Sequence, residues 1–239
     1  MNTQTIPSIA VNIAAIVTRI SAAVNLFPNH GLAPILMAVS KTRSAEEVRA
    51  AVIAGASHIG ENYLQEALSK QQALRDLDIV WHFIGPLQTN KTRAIASNFD
   101  WVHGVDRDKI IIRLNDQRPP ELGPLNICLQ VNINDEASKS GAASADLPAL
   151  LELALRQPML RVRGLMAIPA NASDPQQQRQ QFAVVNQLFR QLQAQFPSAK
   201  LDTLSMGMSG DMEAAIAEGA TIVRIGSDIF GPRRKSDDE

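Results

Sequence analysis

Short runs rich in Val, Ile and Leu alternate with longer segments of helical periodicity along most of this chain, and that rhythm constrains its fold more than any other feature. The candidate strands, in order, are "PILMAVS", "HIGE", "IVWHFIG", "WVHGV", "LNICLQVNI", "RVRGLMAI", "LDTLSMG" and "TIVRIGS". Between them lie "SAEEVRAAVIAGA", "NYLQEALSKQQALRDL", "TNKTRAIASN", "RDKIIIRLNDQ", "ADLPALLELALRQ", "PQQQRQQFAVVNQLFRQLQAQF" and "GDMEAAIAEGA". Strict alternation of this kind means parallel strands joined by helical crossovers. Eight strands and seven intervening helices, with no extra domain, suit a closed (β/α)8 TIM barrel better than an open doubly wound sheet. "HIGE" and "WVHGV" are the shortest of the runs, and the barrel depends on both being strands.

Helix boundaries agree with this division. Ser44 followed by Glu46 and Glu47 suits a helix start, and Gly55 a stop. Asp174-Pro175 opens the Gln-rich helix, and Gly219 closes the helix after Met212. Residues 1–239 read as a single barrel domain, with a packing helix within 1–30 and a charged, frayed tail at 233–239.

Composition narrows the partners. At 239 residues and 45% hydrophobic, the chain can bury a large core. A formal net charge of −1 gives no basic stripe for nucleic acid. The N-terminal stretch is apolar, but Asn12, Thr18, Arg19, Ser21 and Asn25 interrupt it, while Ile6, Ile9, Ile13, Ile16, Val17, Ile20 and Val24 recur at helical spacing. It reads as an amphipathic helix lying on a core rather than a membrane segment or a leader. Cys128 is the only cysteine and reads as plain packing, which permits a reducing compartment and a cytoplasmic protein. His30, His58, His82 and His103 have no metal-ligand spacing and read as buried, satisfied imidazoles, so no metal is expected.

In a TIM barrel the chemistry sits at the C-terminal ends of the strands. Those ends carry Lys41, then Glu61 and Asn62, His82 and Gly85, His103 and Asp106, Asn132 and Asn134, Met166, Ser205 with "MGMSGD", and finally Arg224, Gly226 and Ser227. The last two loops are rich in Gly and Ser, and loops at these positions commonly hold a phosphate. Ser209, Gly210, Gly226 and Ser227 supply the groups for one. Lys41 ends the first strand, where a desolvated amine near other cations becomes a nucleophile toward carbonyls; snorkelling to solvent or pairing with Glu61 is the alternative. A lysine beside a phosphate site suggests a Schiff-base aldolase or a pyridoxal 5′-phosphate (PLP) protein. Arg224 bears on the choice. A guanidinium beside a pyridine nitrogen leaves that nitrogen unprotonated and the ring a weak electron sink.

These residues fall in four segments, "AVSKT" with "GENYLQEALSK", "WHFIGPLQTNKTR" and "LSMGMSGDMEAAIAEGATIVRIGSDIFGPR", which together resemble the pyridoxal phosphate homeostasis proteins from Ile35 to Arg233. The resemblance implies a barrel similar to the N-terminal domain of alanine racemase. It implies PLP as an internal aldimine on Lys41, with Asn62 by the cofactor, Ser209 and the Gly226-Ser227 pair at the phosphate, and Arg224 at the pyridine nitrogen. It also implies a role in vitamin B6 homeostasis, carrying or buffering PLP, with PLP-accepting apoenzymes as partners and no assigned catalytic residues.

The alternative is a PLP-dependent amino-acid racemase or lyase. A racemase needs acid/base groups on both faces of its substrate, and the only tyrosine, Tyr63, falls early in a helix. With no second domain to complete a racemase-like dimer, a monomer is expected. Lys139, in "EASKSG", reads as a solvated loop lysine, with a second aldehyde-reactive amine as the other possibility.

Overall fold

The computed structural model describes residues 6–28, 33–133 and 140–232. Asn134, Lys139 and the charged tail at 233–239 lie outside them, as does His30.

All eight expected strands form. They are β1 (Ile35–Val39), β2 (His58–Glu61), β3 (Val80–Phe83), β4 (Trp101–Val105), β5 (Leu125–Asn132), β7 (Leu160–Ala167), β8 (Thr203–Ser205) and β9 (Ile222–Ile225). Every pairing is parallel, and the circuit closes through β4–β5 on one side and β1–β9 on the other. The two short runs are strands β2 and β4, and all of β4 is buried. A two-residue strand, β6 (Ala142–Ala143), extends the C-terminal end of β5; its length gives no pattern in sequence.

The seven expected helices follow their strands: α2 (Ala45–Ile53), α3 (Leu64–Ala73), α4 (Thr92–Asn98), α5 (Asp108–Gln117), α6 (Leu147–Leu155), α7 (Pro175–Gln195) and α8 (Met212–Ala217). A further short helix, α9 (Ser227–Phe230), follows β9. Ser44 caps α2 in a full capping box. Its hydroxyl accepts from the Glu47 N–H, and the Glu47 side chain accepts from the Ser44 N–H. Asp174 caps α7 by accepting from the N–H groups of Gln176 and Gln177. Along α7, Phe182, Val185, Phe189 and Leu192 recur at helical spacing and are buried against the barrel.

The N-terminal helix α1 (Ile6–Leu26) is apolar and long enough to cross a membrane by length and composition alone. It instead lays Ile9, Ile13, Ile16, Ile20 and Ala23, all buried, against α2, α8 and α9. Inside the barrel, Met37, Trp101, Cys128, Met166 and Ile222 pack as a compact cluster separate from the larger core between strands and helices. Cys128 is fully buried, and burial pushes its thiol up to about 12. Plain packing is its role here.

Candidate functional site

A cavity of about 340 Å³ opens at the C-terminal ends of the strands, within the range of small-ligand pockets. Lys41, Asn62, Ser209, Arg224, Gly226 and Ser227 all line it. Val39, Ile84, Met166, Ile168 and Met208 form its apolar wall.

Lys41 lies two residues beyond the end of β1, in a turn closed by the Arg43 N–H donating to the Ser40 carbonyl at 3.0 Å. Thr42 takes a φ of 64°, a costly conformation for a β-branched residue. Its N–H donates to Glu66 Oε2 at 2.9 Å, and the capped start of α2 comes directly after, so the turn is pinned on both sides. Beneath it, the Ser40 hydroxyl donates to Glu61 Oε1 at 2.5 Å, and Lys70 Nζ donates to the same oxygen and to the Ser40 carbonyl, each at 2.6 Å. Glu61 therefore faces this buried network and not the cavity, while Asn62, one residue on, turns into the cavity wall.

Asn62 Oδ1 is buried with no hydrogen-bond partner among the described residues, so it calls for a donor from whatever the cavity holds. Its backbone is pressed by the end of β3. A Cβ on Gly85 would come within 2.2 Å of the Asn62 carbonyl oxygen, so only glycine fits there.

The loops after β8 and β9 meet at two hydroxyls, with Ser227 Oγ donating to Ser209 Oγ at 3.1 Å. Arg19 of α1 ties both loops down. It donates to Asp228 and Glu213 at 2.8 Å each and to the Ser209 carbonyl at 3.4 Å. In sequence Arg19 is only a break in an apolar run, because partners about two hundred residues away leave no local signal of this clamp. Arg43, also on the cavity, is buried and donates to the carbonyls of Gly231 and Pro232 at 2.6 and 2.8 Å.

Arg224 is buried on the cavity floor. It donates to the Ser205 carbonyl at 2.5 Å, to Ser205 Oγ at 2.9 Å and to the Ala167 carbonyl at 2.9 Å, all neutral oxygens. Among the described residues no carboxylate forms an ion pair with it. Burial lowers its pKa to about 10, opposed by the more distant Asp211, so it stays cationic at neutral pH. A buried cation with no ion-pair partner among the described residues, an amine and paired hydroxyls suit an anionic, carbonyl-bearing ligand. His82 and His103 do not reach this surface; they lie a layer below it, fully buried. Among the described residues no cluster of His, Cys, Asp and Glu suits a metal.

The PLP expectation fits these groups. A cation sits on the floor, an amine and paired hydroxyls stand at the rim, and the cavity is of small-molecule size.

Residues 11–234 match the family model described as alanine racemase, N-terminal domain. The chain is 54% identical to the pyridoxal phosphate homeostasis protein of Pseudomonas aeruginosa, over 95% of this chain and 96% of that one. It is 48% identical to the protein of that name from Escherichia coli K12, over 94% and 97% of the two chains. Among solved structures, PipY of Synechococcus elongatus with PLP bound superposes with a TM-score of 0.83 at 36% identity, covering 93% of this chain and 100% of PipY. Similarity at this level along nearly the whole length places the chain in the pyridoxal phosphate homeostasis protein family.

Proposed function

We propose that this chain binds PLP in the cavity at the C-terminal ends of its strands, holds it as a Schiff base on Lys41, and carries or buffers it in the cytoplasm without efficient catalysis. The observation that carries the reading is that Lys41, the buried Arg224 cation and the Ser209–Ser227 hydroxyl pair share one cavity. When bound, PLP supplies an aldehyde that condenses with an amine, releasing water, and a ring that withdraws electrons. Lys41 provides that amine. The hydroxyls of Ser209 and Ser227 and the backbone at Gly226 would hold the phosphate, and the Asn62 side chain would lie beside the ring. Arg224 is a donor only, so it leaves the ring nitrogen unprotonated and the sink weak. That favours a reversible tether, released by hydrolysis or by exchange with another amine, over carbanion chemistry. PLP-accepting apoenzymes are the recipients in this reading, and the working unit is a monomer.

Among the described residues lining the cavity, the racemase or lyase alternative finds no carboxylate, histidine or tyrosine to serve as a second acid/base group. Tyr63 precedes α3, is more than half exposed and does not line the cavity. Two titrations test the proposal. PLP added to the apoprotein should give visible absorbance that saturates at one equivalent, and Lys41→Ala should abolish that absorbance. A colourless wild-type protein, or an unchanged Lys41→Ala spectrum, would overturn it. Exchange of amino-acid α-protons in deuterium oxide well above that of free PLP would favour the enzyme instead.

A further inference from the structure

The barrel interior holds a continuous hydrogen-bonded chain that the proposed tether does not use. His58 Nδ1 meets His82 Nε2 at 2.9 Å, His82 Nδ1 meets His103 Nε2 at 2.9 Å, and His103 Nδ1 meets Ser205 Oγ at 2.9 Å. Ser205 Oγ in turn accepts from Arg224 Nη1. The chain starts at the half-buried first residue of β2, crosses the interior through β3, β4 and β8, and ends on the guanidinium at the cavity. His82 is also stacked on Trp101, with ring centroids 5.5 Å apart.

One end of the chain has a fixed polarity, because a guanidinium donates and never accepts. Ser205 Oγ receives the Arg224 N–H, so its own proton has one acceptor left, His103 Nδ1. His103 then carries its proton on Nε2 and donates to His82 Nδ1. By the same step, His82 donates from Nε2 to His58 Nδ1. Only this direction pairs every buried proton; two donors converging on Ser205 Oγ would leave the hydroxyl hydrogen without a partner. Neutral rings are required, and the surroundings impose them. Burial depresses His103 to about 3, aided by the nearby Arg224 charge, and burial with the neighbouring histidines holds His82 well below its usual value. Burial also lowers His58, against Asp100.

We propose that His58, His82, His103 and Ser205 form a one-way relay of hydrogen bonds that holds the Arg224 guanidinium in place beneath the bound cofactor. The function is positioning, not proton conduction, since the arginine end cannot take up a proton. This rests on the reading that Arg224 faces PLP; the relay itself belongs to the apoprotein and is measurable without the cofactor. Hydrogen bonds in series reinforce one another in a low-dielectric interior, so the chain acts as a unit.

The test is long-range ¹H–¹⁵N correlation of ¹⁵N-histidine-labelled apoprotein between pH 6 and 8, with His30→Gln removing the fourth imidazole. His58, His82 and His103 should each appear as a neutral ring protonated on Nε2. A proton on Nδ1 of His103, or a cationic His82 or His103 in this range, overturns the relay. Ser205→Ala should give mixed tautomers as far away as His58 and weaken PLP binding by roughly ten- to a hundredfold, the effect of one hydrogen bond to a buried charge. Ser205→Thr, which keeps the hydroxyl, should restore both. A Ser205→Ala protein with unchanged tautomers, or with changed tautomers and unchanged PLP affinity, defeats the proposal. Should that variant not fold, the wild-type spectrum decides. A wild-type protein with the expected tautomers that takes up no PLP refutes the cofactor reading and leaves the relay standing.

Discussion

Replacing Lys70 with methionine strands a buried carboxylate directly beneath the turn that presents Lys41. Glu61 is fully buried, and its Oε1 takes both the Lys70 ammonium and the Ser40 hydroxyl. Its Oε2 has no hydrogen-bond partner among the described residues. Burial raises the Glu61 pKa, and Lys70 and Ser40 pull it back down. Methionine keeps most of the stem's apolar volume and removes the charge. Breaking a buried ion pair from one side costs about 3–5 kcal/mol. At roughly 2–4 °C per kcal/mol for a chain of this size, Tm should fall by about 6–20 °C. The pH dependence has a definite sign. Without Lys70 the folded-state pKa of Glu61 rises further above its value in the unfolded chain. Between those two values the folded protein holds a proton that the unfolded chain does not, so the variant loses stability as pH rises through that window. Thermal unfolding should show the smallest Lys70→Met penalty near pH 5 and the largest near pH 8. Glu61→Gln added to Lys70→Met should recover most of the loss. A penalty below about 1 kcal/mol, one that is flat with pH, or a double variant no better than the single one would refute the reasoning.

Three other outcomes rest on the same geometry. Gly85→Ala should weaken PLP binding, measured by absorbance titration, because its Cβ forces the Asn62 backbone away; affinity equal to wild type would show that Asn62 does not matter. Arg19→Ala should loosen both phosphate-side loops and raise the Kd for PLP by roughly three- to tenfold, with little change in the visible band, since Lys41 is untouched. Cys128 should resist thiol reagents in the native protein and react fully on unfolding, given its burial and a thiol pKa of about 12; rapid native labelling would show that the barrel opens.

The barrel was legible because each strand and helix carries its own local signal. The pattern of β4, buried along its whole length, is that of a parallel strand covered on both sides. The cavity residues were legible because strand ends in this architecture converge, so residues just past the ends of different strands are neighbours in space. What sequence left dark is everything made by tertiary contact alone. His82 and His103 read as satisfied core histidines, and they are, but their alignment into a chain ending on Arg224 depends on register between strands. Glu61 read as a strand-end group beside Lys41; its direction was set by Lys70, on α3. Arg19 read as a break in an apolar helix and emerges as the clamp between that helix and the last two loops.

The most direct test of the central claim is peptide mapping after borohydride reduction of the PLP-loaded protein. The account predicts one pyridoxyl group per chain, on the peptide containing Lys41. Label on Lys139 or any other lysine in its place, or no covalent label on a protein that holds PLP, would contradict it.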